Sequence, residues 1–133
     1  MTALALDTHA WVWWLSKPEK LSRRQRSAIE RARKQASASL LLSVISGWEV
    51  ALLVQAGRLR LPVPLEAWLQ QAMSVPGLEV VPLTVPVIAT AAQLTALRDP
   101  ADMLIVATAR HHGARLVTSD VRIADSRTVE VVG

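Results

Sequence analysis

Four groups of acidic residues set the chemistry this 133-residue chain could perform: Asp7 in Leu6-Asp7-Thr8-His9, Glu49 in Ser46-Gly47-Trp48-Glu49, Asp99 and Asp102 in Arg98-Asp99-Pro100-Ala101-Asp102, and Asp120 in Thr118-Ser119-Asp120. Each has a structural explanation. Asp7, or more naturally Thr8, can cap a helix carrying Trp11, Trp13 and Trp14. Ser46 and Glu49 have the spacing of a capping box, in which each side chain satisfies a backbone N–H of the other residue. Asp99 as N-cap, Pro100 at the first helical position and Asp102 at the third make a helix start favoured by the dipole. Asp99 is therefore assigned mainly to capping, whereas Asp102 can serve both the helix and a ligand. Thr118, Ser119 and Asp120 form an ordinary turn as readily as a site.

Singly, none of these acids demands a function. Gathered at one place, three or four carboxylates repel one another and take up protons unless a divalent cation neutralises them. The chain has no cysteine. Its donors are then hard oxygens plus His9, His111 and His112, none of which is assigned to a metal, and such a set suits Mg²⁺ or Mn²⁺. An ion of this kind lowers the pKa of a water and stabilises charge on a scissile phosphate.

The elements that must position the acids are legible as alternating short apolar runs and helical stretches. Ala3–Leu6, Leu40–Ser43, Leu78–Pro82, Ala114–Val117 and Thr128–Val132 are the expected strands. They are mostly continuous in apolar character rather than alternating, as in a parallel sheet covered on both faces. Helices are expected over Ala10–Ser16, Leu21–Ala36, Gly47–Ala56, Leu65–Ser74, Val85–Leu97 and Pro100–His112. Strands alternating with helices imply right-handed βαβ units and a three-layer α/β/α domain with a central, mainly parallel sheet of about five strands. Ligands of such sheets bind outside the carboxyl ends of the strands. Asp7 and Asp120 follow strands directly, and Glu49 and Asp102 open helices, so all four fall at the same kind of position.

Length and composition bound the rest. A chain of 133 residues, half of them apolar, suits one buried core, and a single domain over 1–133 is expected. No apolar run approaches the roughly 18 to 20 residues of a membrane span, which points to the cytoplasm and to no membrane partner. A net charge of +4 points to a polyanionic partner, and Arg23, Arg24, Arg26, Arg31, Arg33 and Lys34 crowd one helix that is either a solvated face or an RNA-contacting surface. Of the five tryptophans, Trp11 and Trp48 are expected in the core, while Trp13, Trp14 and Trp68 suit a groove for a partner.

Together, Leu6-Asp7-Thr8-His9-Ala10-Trp11-Val12-Trp13-Trp14, Ser43-Val44-Ile45-Ser46-Gly47-Trp48-Glu49-Val50-Ala51, Asp99-Pro100-Ala101-Asp102 before Leu104-Ile105-Val106-Ala107-Thr108-Ala109, and Leu116-Val117-Thr118-Ser119-Asp120 resemble the PIN-domain VapC family, the toxins of bacterial toxin–antitoxin pairs. Order and intervals match over nearly the whole chain. The resemblance implies that Asp7, Glu49 and Asp102 are the core metal-binding and catalytic acids, with Asp120 the fourth. Thr8, Ser43, Asp99, Thr118 and Ser119 would surround them. It implies endonucleolytic hydrolysis of single-stranded RNA by a water that the ion activates, with Arg23, Arg24 and Arg98 as candidate RNA contacts. It further implies a homodimer and inhibition by an antitoxin peptide. Met103 departs from the pattern, since Arg commonly follows the helix-start acid in this branch.

Two other functions stand beside this one. A PIN-domain nuclease of RNA maturation would act without an antitoxin. A non-catalytic RNA- or protein-binding module would have lost a core acid, and none is missing. A phosphatase using Asp7 as nucleophile is disfavoured, because His9 stands where that chemistry wants a second aspartate.

Overall fold

Successive residues of a strand face opposite sides of a sheet, and in this chain both sides are apolar. In the computed structural model, which describes residues 3–35 and 40–133, β1 (Leu4–Leu6), β2 (Leu40–Ser43), β3 (Leu78–Val81), β4 (Arg115–Val117) and β5 (Val131–Val132) form one sheet in the order β3-β2-β1-β4-β5. All four pairings are parallel, and Leu4, Ala5 and Leu6 align with Leu40, Leu41 and Leu42 on one side and with Arg115, Leu116 and Val117 on the other. Leu4, Leu6, Leu40, Leu42 and Val117 face one layer, while Ala5, Leu41 and Leu116 face the other.

The helices divide accordingly. Trp11 of α1 (Thr8–Ser16), Ile29 of α2 (Arg23–Lys34) and Trp68 of α4 (Leu65–Ala72) pack on the first face. Val87 of α5 (Val85–Ala92), Ile105 and Val106 of α6 (Pro100–His111) and Ile123 of α7 (Val121–Ser126) pack on the second. Between the layers runs α3 (Ile45–Gln55), which contributes Val50 to the first cluster and Ile45 to the second. This is the expected three-layer α/β/α architecture. No helix of the described residues is long and apolar enough to cross a membrane.

Several expectations need correction. The stretch expected to be helical to Leu97 leaves the helix after Ala92, because Leu94 and Leu97 turn inward as buried plugs and a run of tight turns carries them there. The helix expected from Leu21 begins at Arg23, where Ser22 and Gln25 form a capping box, and it ends at Lys34; the Ala36 end point lies outside the described residues. The helix α7 after Asp120 was not expected. The tryptophans are exchanged: Trp48 is 60% exposed, whereas Trp68 is buried against Trp11 with ring centroids 5.0 Å apart. The cause lies in α3, which buries Gly47 and Val50 on the side facing Met73 and Leu69 and so turns Trp48 outward.

The strand order places the site. From β1 the chain steps to β2 and β3 on one side, then returns to lay β4 and β5 on the other. Connections leaving β1 and β4 in opposite directions open a crevice at their carboxyl ends. The Asp7 N–H, donating to the Val117 carbonyl at 3.1 Å, closes the last rung of the ladder beneath it.

Trp11 anchors the helix that follows β1. It is fully buried, and its indole N–H donates to the Ala72 carbonyl at 3.1 Å. Trp11→Ala is expected to lower the unfolding free energy by about 3–5 kcal/mol, the usual cost of emptying such a site. Urea unfolding followed by circular dichroism checks this, and an unchanged midpoint would contradict the packing described.

Candidate metal centre

Five acids from four chain segments border one cavity of about 360 Å³ above the β1/β4 crevice: Asp7, Glu49, Asp99, Asp102 and Asp120. Asp7 is the buried one. It caps α1, its Oδ1 accepting from the Ala10 N–H at 2.7 Å, so the cap is Asp7 and not Thr8. Thr8 is instead the first helical residue, and its buried hydroxyl donates to the Glu49 carboxylate while standing 3.0 Å from Ser46 Oγ.

The capping box expected between Ser46 and Glu49 is absent. The Val44 N–H pairs with the Val81 carbonyl and the Ile45 N–H donates to Ser43 Oγ, which starts α3 at Ile45, two residues earlier than expected. Glu49 consequently lies in the second helical turn rather than the first, with its carboxylate available to a tertiary partner. Asp99 and Asp102 behave as their spacing indicates. Asp99 caps α6 through Ala101 and Asp102 N–H donors at 2.9 and 3.1 Å, and Asp102 occupies the first turn. Thr118 is buried and accepts from the Asp120 N–H at 3.1 Å. Ser119 lines the cavity, whereas Ser43 does not.

Burial raises the pKa of Asp7, more than the hydrogen bonds from Thr118 and Ala10 lower it. Burial likewise raises Glu49 against the hydrogen bond from Thr8, with the charges of Asp99 and Asp7 adding to the rise. Asp102 is pushed up to about 7, first by burial and then by the facing carboxylates of Asp99, Glu49 and Asp120. Asp120 goes the other way, because Arg122 holds its charged form. That guanidinium grips both carboxylate oxygens, with Nε 3.3 Å from Oδ1 and Nη2 3.1 Å from Oδ2.

As they stand, no three of the His, Asp and Glu side chains among the described residues are drawn together closely enough to hold an ion. Asp7, Glu49, Asp99 and Asp120 each take a donor from the protein instead. The donor set nonetheless fits a hard divalent cation. It offers mainly carboxylates on a common cavity, and the raised pKa values of Asp7, Glu49 and Asp102 mark the electrostatic demand that such a cation meets.

Of the other cavity residues, His9 lies close to Asp7 as its sequence position implies and Trp13 lines this cavity, whereas Arg122 was not foreseen from the sequence. For Arg122 the missing signal was α7, whose first turn brings it back over Asp120. Arg98 is exposed and lies outside the cavity wall, and Arg23 and Arg24 line a separate groove. Met103, at the position where Arg was noted as common, packs against the apolar layer of the second face.

Comparison with known proteins bears on the family and the fold. A sequence profile of the PIN domain matches residues 4–127. The chain is 41% identical over 129 residues to Ribonuclease VapC22 of Mycobacterium tuberculosis (strain ATCC 25618 / H37Rv), covering 96% of this chain and 94% of that protein. Among solved structures it is similar to VapBC2 from Rickettsia felis bound to a promoter DNA fragment, with a TM-score of 0.70, 16% identity and 98% of each chain covered. It is also similar to DNA-bound VapBC from Salmonella typhimurium, with a TM-score of 0.70, 17% identity, and 99% of this chain and 98% of that one covered. FitAcB from Neisseria gonorrhoeae matches with a TM-score of 0.66 and 22% identity over 98% and 96% of the two chains. At these identities the structures bear on the fold alone.

The raised acids make stability depend on pH in a defined direction. Unfolded, Asp102 ionises near 3.8; folded and without a cation, it ionises near 7. Between those values the folded state keeps a proton that the unfolded state has released, so stability is lost as pH rises toward 7. In EDTA, the melting temperature is expected to rise as the pH falls from about 8 to about 5.5, and Asp102→Asn is expected to flatten that rise. Parallel curves for the two proteins would contradict the assigned shift.

Proposed function

The chain belongs to the PIN-domain family, alongside the VapC ribonucleases, and from that premise we propose that it is a divalent-metal-dependent endoribonuclease acting on single-stranded RNA. The observation that carries the proposal is the gathering of Asp7, Glu49, Asp102 and Asp120 from four chain segments at the β1/β4 crevice. These four would hold Mg²⁺ or Mn²⁺. When bound, such an ion neutralises the carboxylates, acidifies a water and stabilises charge on the phosphate under attack.

The remaining work belongs to the protein's own residues. Thr8 commits its hydroxyl to one oxygen of Glu49 and so orients the other. Thr118 steadies Asp7 and the turn that delivers Asp120. Asp99 satisfies the backbone at the start of α6, which fixes where Asp102 projects. Arg122, the one guanidinium on the cavity wall, offsets the repulsion between a phosphodiester and the acids. Hydrolysis then adds a water to phosphorus and expels an ester oxygen, which leaves with a proton.

By the same kinship the protein is the toxin half of a toxin–antitoxin pair, acting in the cytoplasm and restrained by its cognate antitoxin. Val44, Trp48 and Leu52 form an exposed apolar stripe along α3, and Val85 and Ile88 are exposed on α5. These residues supply the surface that a homodimer would cover.

Glu49→Gln separates chemistry from folding, since Glu49 caps no helix and its replacement by the isosteric amide leaves the packing intact. The variant is expected to fold, to lose measurable RNA cleavage, and to show a smaller Mn²⁺-induced rise in melting temperature. Thr8→Val is expected to lose cleavage by roughly 10–100-fold, as is usual for groups that orient a ligand. Cleavage assays against Mn²⁺ concentration check both, and an active Glu49→Gln protein with the wild-type melting shift would contradict the assignment.

A further inference from the structure

Three of the six basic residues of α2 line one groove. Arg23, Arg24 and Arg31, with Ser27 and Ala28, face Arg115 of β4 and Val132 of β5 across a concavity of about 350 Å³. Arg24, Ser27, Ala28 and Arg31 have the i, i+3, i+4, i+7 spacing of a single helix face. No acidic residue lines the groove. The ion pairs among the described residues are Arg33 with Glu30 and Arg122 with Asp120, so none of the four groove arginines is engaged. Arg115 is half-buried in the wall that the sequence-distant strand supplies.

The groove adjoins the acidic cavity. The Gln25 side-chain amide donates to Ser119 Oγ and to the Val132 carbonyl, each at 3.2 Å. Ser119 lines the cavity and Val132 lines the groove, so one buried glutamine joins the two concavities. From Arg24 to Arg31 the helix rises ~10.5 Å, the length of about three stacked nucleotides at ~3.4 Å each. Guanidinium groups match phosphate oxygens bidentately. Apart from Ala28 and Val132 the walls carry no apolar or aromatic anchor, which favours a phosphodiester backbone over a folded peptide.

We propose that this arginine groove is an exosite that grips the RNA strand beyond the scissile bond, with the strand leaving the cavity past Ser119 and following α2. The proposal rests on the RNA-cleaving reading for its substrate. It also accounts for how a cavity bordered by five acids retains a polyanion, since the attraction is supplied next door.

The test is Arg24→Gln/Arg31→Gln, two exposed helix positions at which glutamine is well tolerated. With a labelled single-stranded RNA of about 12 nucleotides in EDTA, the variant's Kd measured by anisotropy is expected to rise on the order of tenfold, and the slope of log K against log salt to shrink by roughly 1.4, at ~0.7 per phosphate contact. Equal affinity and slope in the two proteins overturn the exosite, whatever cleavage shows. Tighter binding of a polyglutamate peptide than of RNA overturns the nucleic-acid assignment. In Mn²⁺, KM for the long strand is expected to rise while kcat/KM for a strand of about four nucleotides stays at the wild-type value; equal loss on both lengths also overturns the proposal. Wild-type protein that cleaves neither length refutes the nuclease reading alone, and the binding arm then decides the groove by itself.

Discussion

Burying a carboxylate disfavours its ionised form, and each further carboxylate facing it adds to the penalty. The crevice between β1 and β4 accumulates this cost in Asp7, Glu49 and Asp102, and the rest of the site is arranged around limiting it. Every acid but Asp102 has a donor from the protein: Ala10 for Asp7, Thr8 for Glu49, the start of α6 for Asp99, and Arg122 for Asp120. Among the described residues Asp102 has none, and burial with the facing carboxylates pushes its pKa up to about 7. In the proposed function a cation would offset this cost, displacing Arg122 from Asp120 while Thr8 and the start of α6 keep their bonds to Glu49 and Asp99.

The scaffold makes the cluster unavoidable. Buried apolar residues on both faces of β1 and β4 lock the two strands in register, and the Asp7 N–H continues the ladder to Val117. Asp7 and Thr118 therefore emerge side by side. From the next strand, α3 starts as soon as Ser43 and Val81 have satisfied its first N–H groups, which brings Glu49 within reach of Thr8.

What was legible in the sequence follows from how local each determinant is. The strands are readable because their runs are mostly continuous in apolar character, although β5 is confined to Val131–Val132, and the Asp99-Pro100-Ala101-Asp102 helix start is readable because its hydrogen bonds close within four residues. Ser46 and Glu49 mislead because their spacing also suits a cap; the competing partner, Thr8, is distant in sequence. Trp48 and Trp68 mislead for a similar reason. Periodicity places residues on a common face, but only the packing of Gly47 toward Met73 decides which face of α3 is inward. Arg122 was invisible because the six-residue helix that returns it to Asp120 has weak signals of its own. The basic α2 was legible as a charged helix, whereas its division into groove-facing arginines and the outward Arg33–Glu30 pair depends on Arg115 from a distant strand.

The central claim is that the four carboxylates converge on one cation. Its most direct test is a crystal soaked in Mn²⁺, with anomalous differences collected at the manganese edge. A strong peak is expected between Asp7 and Asp102, within coordinating distance of Glu49 or Asp120, with Arg122 moved away from the Asp120 carboxylate. Saturating Mn²⁺ with no peak in that cavity, or a peak held by other residues while Arg122 still grips Asp120, would contradict the claim.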